Sequence, residues 1–350
     1  MGADHTVLLI HGMGKPDDKM FGEWEKLLKG VYERCNPGAY PFNDVFNVVP
    51  VLYDDVFEDL RKQWAEQIDG IFSQISALPD GCVTKDDLKT VTEDSFFTTH
   101  LMDVLLYRFV SPMAERVRAR VAKSILEAIV KKTPSGGKVS IIAHSLGTSV
   151  VHDALNALAN SKIQDPDDPG ATLGAIGAAQ FHAIIQLANV SRTLETKWDA
   201  YEPVVRPGVG AADAVATRML SASHKWDPLV SLRRFQPAEG WPDVQTSKKG
   251  RFTLVESGTI QHWNVHAFEH YVNDPFVHVP MFRHLMTKGF VSEARQTELE
   301  QEFLTDNPIA KFDEYRGRLK GLLTGEADFS WKRLVDVFKG FAEAVSDFTK

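Results

Sequence analysis

The segment from Lys138 to Val151 limits most strongly what this chain of 350 residues can fold into. Its apolar, β-branched run over 139–142 predicts a short buried strand, and apolar residues recur at helical spacing over 148–159. The turn between them is Ala143-His144-Ser145-Leu146-Gly147, whose small end residues let strand and helix backbones pass closely. A serine in this turn is lifted above the sheet edge, beside the positive end of the helix. The segment therefore predicts either a nucleophile or an ordinary strand–helix turn.

A second strand that ends in a turn lies near the N-terminus. The continuous apolar run over 5–10 is typical of a strand buried on both faces of a parallel sheet, and it leads into His11-Gly12-Met13-Gly14. A phosphate loop would need Ser or Thr after Lys15, where Pro16 stands, and a dinucleotide fingerprint would need glycine in place of Asp17. Neither nucleotide-binding motif is present, which leaves a tight turn with exposed backbone N–H groups.

The two turns together resemble those of the α/β-hydrolases. The pentapeptide around Ser145 resembles their nucleophile elbow, with alanine in place of the first glycine of Gly-x-Ser-x-Gly. The turn after the first strand resembles their oxyanion loop. The resemblance implies that Ser145 is the nucleophile and that the N–H groups of Met13 and Leu146 form the oxyanion hole. The residues that it implies as supports of the two loops are His11, Gly12, Gly14, His144 and Gly147.

The family order of the catalytic triad is serine, then an acid, then histidine, each in a loop after a strand. A weak strand is predicted over 216–222, and Asp227-Pro228 follows it. Proline disfavours helix at the residue before it, so Asp227 is expected in an extended turn with its carboxylate projecting. Asp227 is therefore the expected acid, and Asp199 is the next candidate.

Three histidines compete for the role of the base. His262, His266 and His270 follow the last predicted strand at intervals of four residues. On one helix face they would suit a metal ion, but no His-Glu-x-x-His pattern accompanies them, and the serine already requires one of them. His266 is favoured because it lies in the loop before a short turn, with His270 as the alternative and His262 third. No metal and no cofactor are expected.

Strands that alternate with helices predict an α/β protein with a mostly parallel sheet of about six strands and flanking helices. By its resemblance this is an α/β-hydrolase fold with a reduced N-terminus. We expect a hydrolase domain over 1–290 and a C-terminal helical extension over 291–350 packed on it. Within the first domain we expect a helical insertion over 78–133, before the strand of Ser145, and a cap or lid over 188–215 that contains Trp198 and Tyr201. Three arginines of the insertion are expected on a solvated face: Arg116, Arg118 and Arg120.

Composition restricts the partners and the location. A net charge of −8 and a pI near 5.9 argue against nucleic acid and against a basic membrane-binding patch. Two cysteines, Cys35 and Cys82, imply no disulfide framework. No apolar run is long enough for a transmembrane segment, and no secretory signal is recognised, so a cytoplasmic location is expected.

The implied activity is hydrolysis of a small-molecule or lipid ester through an acyl-enzyme. The same triad would also serve amide, thioester or phospholipid cleavage. Two further alternatives remain: a metal-dependent hydrolase, and a protein of the hydrolase fold that only binds partners or acts as a scaffold.

Overall fold

The computed structural model describes residues 4–12, 18–57, 96–109, 111–132, 136–160, 163–164, 172–173, 180–194, 205–208, 214–237, 241, 251–305, 312–323 and 330–349. The strands are β1 (His5–Ile10), β2 (Phe46–Val51), β3 (Lys138–His144), β4 (Ala183–Leu187), β5 (Met219–His224) and β6 (Phe252–Ser257). The helices are α1 (Asp18–Cys35), α2 (Phe42–Val45), α3 (Phe96–Phe109), α4 (Ser111–Lys132), α5 (Leu146–Ala159), α6 (Pro228–Ser231), α7 (Phe268–Asn273), α8 (Pro275–Leu285), α9 (Glu293–Thr305), α10 (Phe312–Leu323) and α11 (Trp331–Thr349), with a 3-10 turn at Lys288–Phe290.

The centre of the fold is one six-stranded sheet of order β2-β1-β3-β4-β5-β6, in which every neighbouring pair is parallel. The predicted α/β class with a parallel sheet of about six strands is therefore confirmed. The strand predicted over 216–222 has different bounds in the structure. Ala216 makes only isolated bridges, so β5 begins at Met219, and it continues through Ser223 to His224, which is polar but buried.

The register brings the carboxyl ends of the central strands to one edge of the sheet. In β1, Ile10 lies opposite Val51 on one side and Ala143 on the other. The loops that leave β1, β3 and β5 therefore start from the same edge, which is where side chains of distant sequence position can meet.

The described part of the predicted insertion consists of α3 and α4, which pack on each other and on the helix that follows Ser145. A buried ion pair fixes them there: Arg118 lies 3.8 Å from Asp153 of α5, which also accepts a 2.6 Å hydrogen bond from Tyr107 of α3. The predicted solvated position of Arg118 is wrong, whereas Arg116 and Arg120 are exposed. Residues 78–95 lie outside the described part of the chain.

The C-terminal helices return to the sheet edge that carries Ser145. Helices α10 and α11 pack on each other, and α11 also packs on α6 and α3. Of the predicted cap segment, residues 195–204 with Trp198 and Tyr201 lie outside the described residues, as does Asp199. None of the described helices is both long and apolar enough to cross a membrane.

Candidate active site

Ser145 lies at the junction of β3 and α5 in a strained backbone conformation. Its φ of 53° and ψ of −128° belong to a region that residues with a side chain seldom adopt, at a cost of about 1–3 kcal/mol. Three hydrogen bonds hold it: its N–H donates to the carbonyl of Leu187, and its carbonyl accepts from the N–H and the hydroxyl of Thr148. The Thr148 hydroxyl in turn accepts from the N–H of Val190. The strain is thus maintained by contacts to the next strand and the loop after it.

Three side chains from three loops form a continuous hydrogen-bonded line at the sheet edge. Ser145 Oγ lies 2.7 Å from Nε2 of His266, and Nδ1 of the same ring lies 2.7 Å from Oδ2 of Asp227. Asp227 follows β5 and His266 follows β6, so each member comes after a different strand of the same sheet. All three are buried. The structure therefore brings together the serine, acid and histidine expected from the sequence.

The surroundings of Asp227 determine where the protons lie. Burial raises the pKa of its carboxyl group, but the electrostatic interaction with His266 and hydrogen bonds from His266 and Tyr271 outweigh this, so the pKa falls below its usual value of 3.8. An ionised carboxylate only accepts hydrogen bonds, so Nδ1 of His266 carries the proton and Nε2 presents its lone pair to Ser145. The Ser145 hydroxyl then donates to Nε2, which is the geometry of a general base with its nucleophile.

Tyr271 is a member of the site that the sequence did not reveal. Its hydroxyl donates a 2.9 Å hydrogen bond to Oδ2 of Asp227, the oxygen that also accepts from His266. The other carboxylate oxygen accepts from the N–H groups of Leu229 and Val230 at the start of α6. Burial, together with the negative charge of Asp227, raises the pKa of Tyr271 well above 10, so it stays a donor.

Two histidines next to the triad position its loops. Nε2 of His144 donates to the backbone carbonyl of His266 over 2.7 Å, which ties the base loop to the end of β3. The ring of His11 stacks on Tyr53 with centroids 4.1 Å apart. The Tyr53 hydroxyl lies 2.7 and 2.9 Å from the carbonyls of His11 and Gly12 and donates to them. These contacts hold the loops beside Ser145, and the supporting roles of His11 and His144 stay predictions.

The glycines of the two turns permit a close approach between them. A Cβ on Gly147 would lie 2.3 Å from the carbonyl oxygen of His11, and one on Gly12 would lie 2.7 Å from Cβ of Ser145. Neither contact is sterically allowed, so both positions need glycine for space. Gly12 thereby brings the turn after β1 directly against Ser145.

Of the two N–H groups expected to form an oxyanion hole, the structure describes that of Leu146. Leu146 is the first residue of α5, so its N–H has no partner within the helix and lies next to Ser145. Met13 and Gly14 lie outside the described residues. Gly12 is the last described residue before them, and its close approach to Ser145 fixes the position from which the turn continues.

His270 and His262 do not reach the serine. His270 is buried against His224, with ring centroids 4.7 Å apart, and burial lowers its pKa well below 6.5. Burial also lowers the pKa of His224 to about 4, so it is neutral near pH 7. Across the ranges that the structure describes, no three His, Cys, Asp or Glu side chains converge in a way that would hold a metal ion.

A small apolar cavity of about 10 Å³ adjoins Ser145, which is room for about one water molecule. The other described residues that line it belong to α3, α6, α11 and the loop after β4, and in chain order they are Val104, Val190, Thr193, Leu194, Leu229, Leu334 and Phe338. Ser145 itself is only 1% exposed. The C-terminal helix α11 is thus part of the site, although the sequence predicted it only as an extension.

A comparison of the chain with known protein families, with characterised proteins and with solved structures finds no significant match to any of them.

Proposed function

We propose that this protein is a serine hydrolase of the α/β-hydrolase type that cleaves carboxylic esters of small molecules or lipids. The observation that carries the proposal is the line Ser145–His266–Asp227, with 2.7 Å at both hydrogen bonds. A structural serine does not need an oriented base whose lone pair faces it. The strained backbone of Ser145 adds support, because such strain is kept at functional sites.

The fold supports the same assignment at the level of topology. The nucleophile follows a central strand of a parallel sheet, and the acid and the base follow later strands in the order expected of an α/β-hydrolase. The glycines at 12 and 147 allow the oxyanion loop and the elbow to touch. Ala143 is fully buried in β3, which is consistent with a small residue at the start of the elbow.

In the proposed mechanism, Nε2 of His266 takes the hydroxyl proton of Ser145 while Oγ attacks the ester carbonyl carbon. The negative charge that develops on the carbonyl oxygen is stabilised by the N–H of Leu146 and, by the resemblance, of Met13. Asp227 accepts the Nδ1–H throughout and stabilises the imidazolium. His266 then gives its proton to the leaving alcohol, which breaks the ester bond and leaves an acyl group on Oγ.

Water completes the cycle in the same site. His266 takes a proton from the water, whose oxygen attacks the acyl carbon, and then returns a proton to Oγ as the carboxylic acid leaves. The chain's own residues carry each of these proton transfers. Amide, thioester and phospholipid substrates would follow the same steps with a different leaving group.

One observation favours a second candidate, a hydrolase-fold protein that binds without turnover. Ser145 is covered, and the cavity beside it holds no more than about one water molecule. A hydrolase with this arrangement must open to admit substrate, whereas a scaffold protein need not. Reactivity of the serine separates the two candidates.

The test combines labelling with a short-chain fluorophosphonate and hydrolysis of p-nitrophenyl butyrate. Wild type should be labelled and active, and Ser145→Ala should lose the label and at least about 10³-fold in kcat/KM. The matched control is Ser149→Ala, a buried serine one turn along α5 whose hydroxyl has no hydrogen-bond partner among the described residues.

Equal activity of wild type and Ser145→Ala would refute the proposal. Wild type that is neither labelled nor active would favour the non-catalytic candidate. Activity that disappears on treatment with a chelator would instead favour a metal-dependent hydrolase.

A further inference from the structure

The cavity beside Ser145 has the chemistry of a site for a hydrocarbon group. Of the described side chains that line it, all are aliphatic or aromatic except those of Ser145 and Thr193. Thr193 donates its hydroxyl to the backbone carbonyl of Arg233 over 3.4 Å, so that donor is already used. A charged or hydrogen-bonding substrate group would find few partners here, and its desolvation would be uncompensated. An aliphatic group would gain from burial.

One wall of the cavity comes from a helix that holds no member of the triad. Leu334 and Phe338 lie four residues apart on α11, so their side chains share one face of the helix, and both line the cavity. By contrast, Leu229 on another wall donates its N–H to Asp227. The α11 wall can therefore be altered without touching the catalytic hydrogen bonds.

We propose that Leu334 and Phe338 form the end wall of an acyl pocket and limit the substrate to esters with short aliphatic acyl groups. This inference rests on the proposed function, and it adds the substrate class and the residues that set it. The cavity of about 10 Å³ has no spare depth for a long chain, and Leu334 and Phe338 are the part of its lining that α11 supplies.

The test measures kcat/KM for p-nitrophenyl acetate, butyrate, octanoate and laurate. Wild type should be most active on acetate and butyrate. Phe338→Ala should raise the octanoate-to-acetate ratio of kcat/KM at least tenfold, because each further methylene that finds an apolar site is worth about fourfold. Phe338→Trp should act in the opposite direction and lower the butyrate-to-acetate ratio.

The matched control is Phe341→Ala. Phe341 lies on the same helix with nearly the same burial, 7% exposed against 6% for Phe338, but it does not line the cavity. This control should lower thermal stability about as much as Phe338→Ala and leave the chain-length profile as in wild type. If Phe338→Ala and Phe341→Ala change the chain-length profile alike, the effect comes from a general loosening of α11, and the inference is overturned.

The possible failures are distinguishable. If wild type is labelled at Ser145 and hydrolyses esters but Phe338→Ala and Phe338→Trp keep its chain-length profile, the inference is wrong and the proposed function stands. If wild type prefers laurate, the limit set by the end wall is likewise refuted. If wild type is neither labelled by the fluorophosphonate nor active on acetate, the proposed function fails, and the inference with it.

Discussion

Replacing Tyr271 by phenylalanine removes one hydroxyl from the buried acid of the site and keeps the shape of the ring. That hydroxyl is one of two donors to Oδ2 of Asp227, the other being Nδ1 of His266. A hydrogen bond to a charged group contributes about 1.5–3 kcal/mol, and no water replaces it at a carboxylate that is 0% exposed. We expect the free energy of unfolding of Tyr271→Phe to fall by about 2 kcal/mol near pH 7.

The same loss has a characteristic pH dependence. The pKa of Asp227 is lower in the folded protein than its usual value of 3.8, so its ionised form stabilises the fold above that pH. This stabilisation is lost as the pH falls through the lower, folded pKa. Without Tyr271 the folded pKa lies closer to 3.8, so the difference between wild type and variant should be constant at pH 6–8 and shrink below about pH 4.

The assay is urea denaturation of both proteins between pH 3 and 8, together with kcat/KM on a short-chain ester. We expect kcat/KM of Tyr271→Phe to fall about tenfold, because the carboxylate orients the His266 ring less firmly.

The matched control is Tyr315→Phe, since the buried Tyr315 donates to the neutral carbonyl of Trp263 instead. Tyr315→Phe should lower the free energy of unfolding by about 1 kcal/mol, and its difference from wild type should not shrink at low pH. Equal stability of wild type and Tyr271→Phe at pH 7, or a difference that persists unchanged at pH 3, would refute the reasoning.

Two further substitutions test the fold around the site. Gly147→Ala places a Cβ 2.3 Å from the carbonyl oxygen of His11 and should reduce the free energy of unfolding by about 2–3 kcal/mol. The control is Gly22→Ala in α1, whose Cβ meets nothing within 4 Å and which should raise the free energy of unfolding by about 0.5–1 kcal/mol. Similar urea midpoints for the two variants would contradict the close approach of Gly147 to His11. Burial raises the pKa of Asp274 to about 6, so the stability of wild type relative to Asp274→Asn should fall by about 2 kcal/mol as the pH rises from 4 to 6. Stability curves of the two proteins that run parallel over this range would contradict the prediction.

The triad positions were predictable because the sheet is parallel. Ser145, Asp227 and His266 each follow an apolar strand, and the carboxyl ends of parallel strands meet at one edge. Order along the chain was therefore enough to group residues that are far apart in sequence. The preference for His266 over His270 depended on the loop position, and the structure places only His266 within hydrogen-bond distance of Ser145.

Other parts of the site could not be predicted from the sequence, because apolar patterning specifies that a face is buried but not what it contacts. Leu334 and Phe338 belong to the buried stripe of an amphipathic helix, and the pattern carries no information that this stripe faces Ser145. The sequence around Tyr271 is typical of a core aromatic residue. The acceptor of its hydroxyl group, Asp227, lies 44 positions away, so the local pattern does not indicate this hydrogen bond. Arg118 was expected in solvent because its buried partner, Asp153, lies on a different helix.

The position of β1 between β2 and β3 has a consequence for biosynthesis. This strand is apolar and buried along its length, and its neighbour β3 comes much later in the chain: His5 bonds to Ser140, 135 positions on. At roughly 5–20 residues per second, a ribosome exposes β1 for roughly 7–27 s before that neighbour is made. During this interval the unpaired edge of β1 is a template for association with other nascent chains. Yield of folded protein should therefore depend on translation rate and on chaperones that shield the first strand.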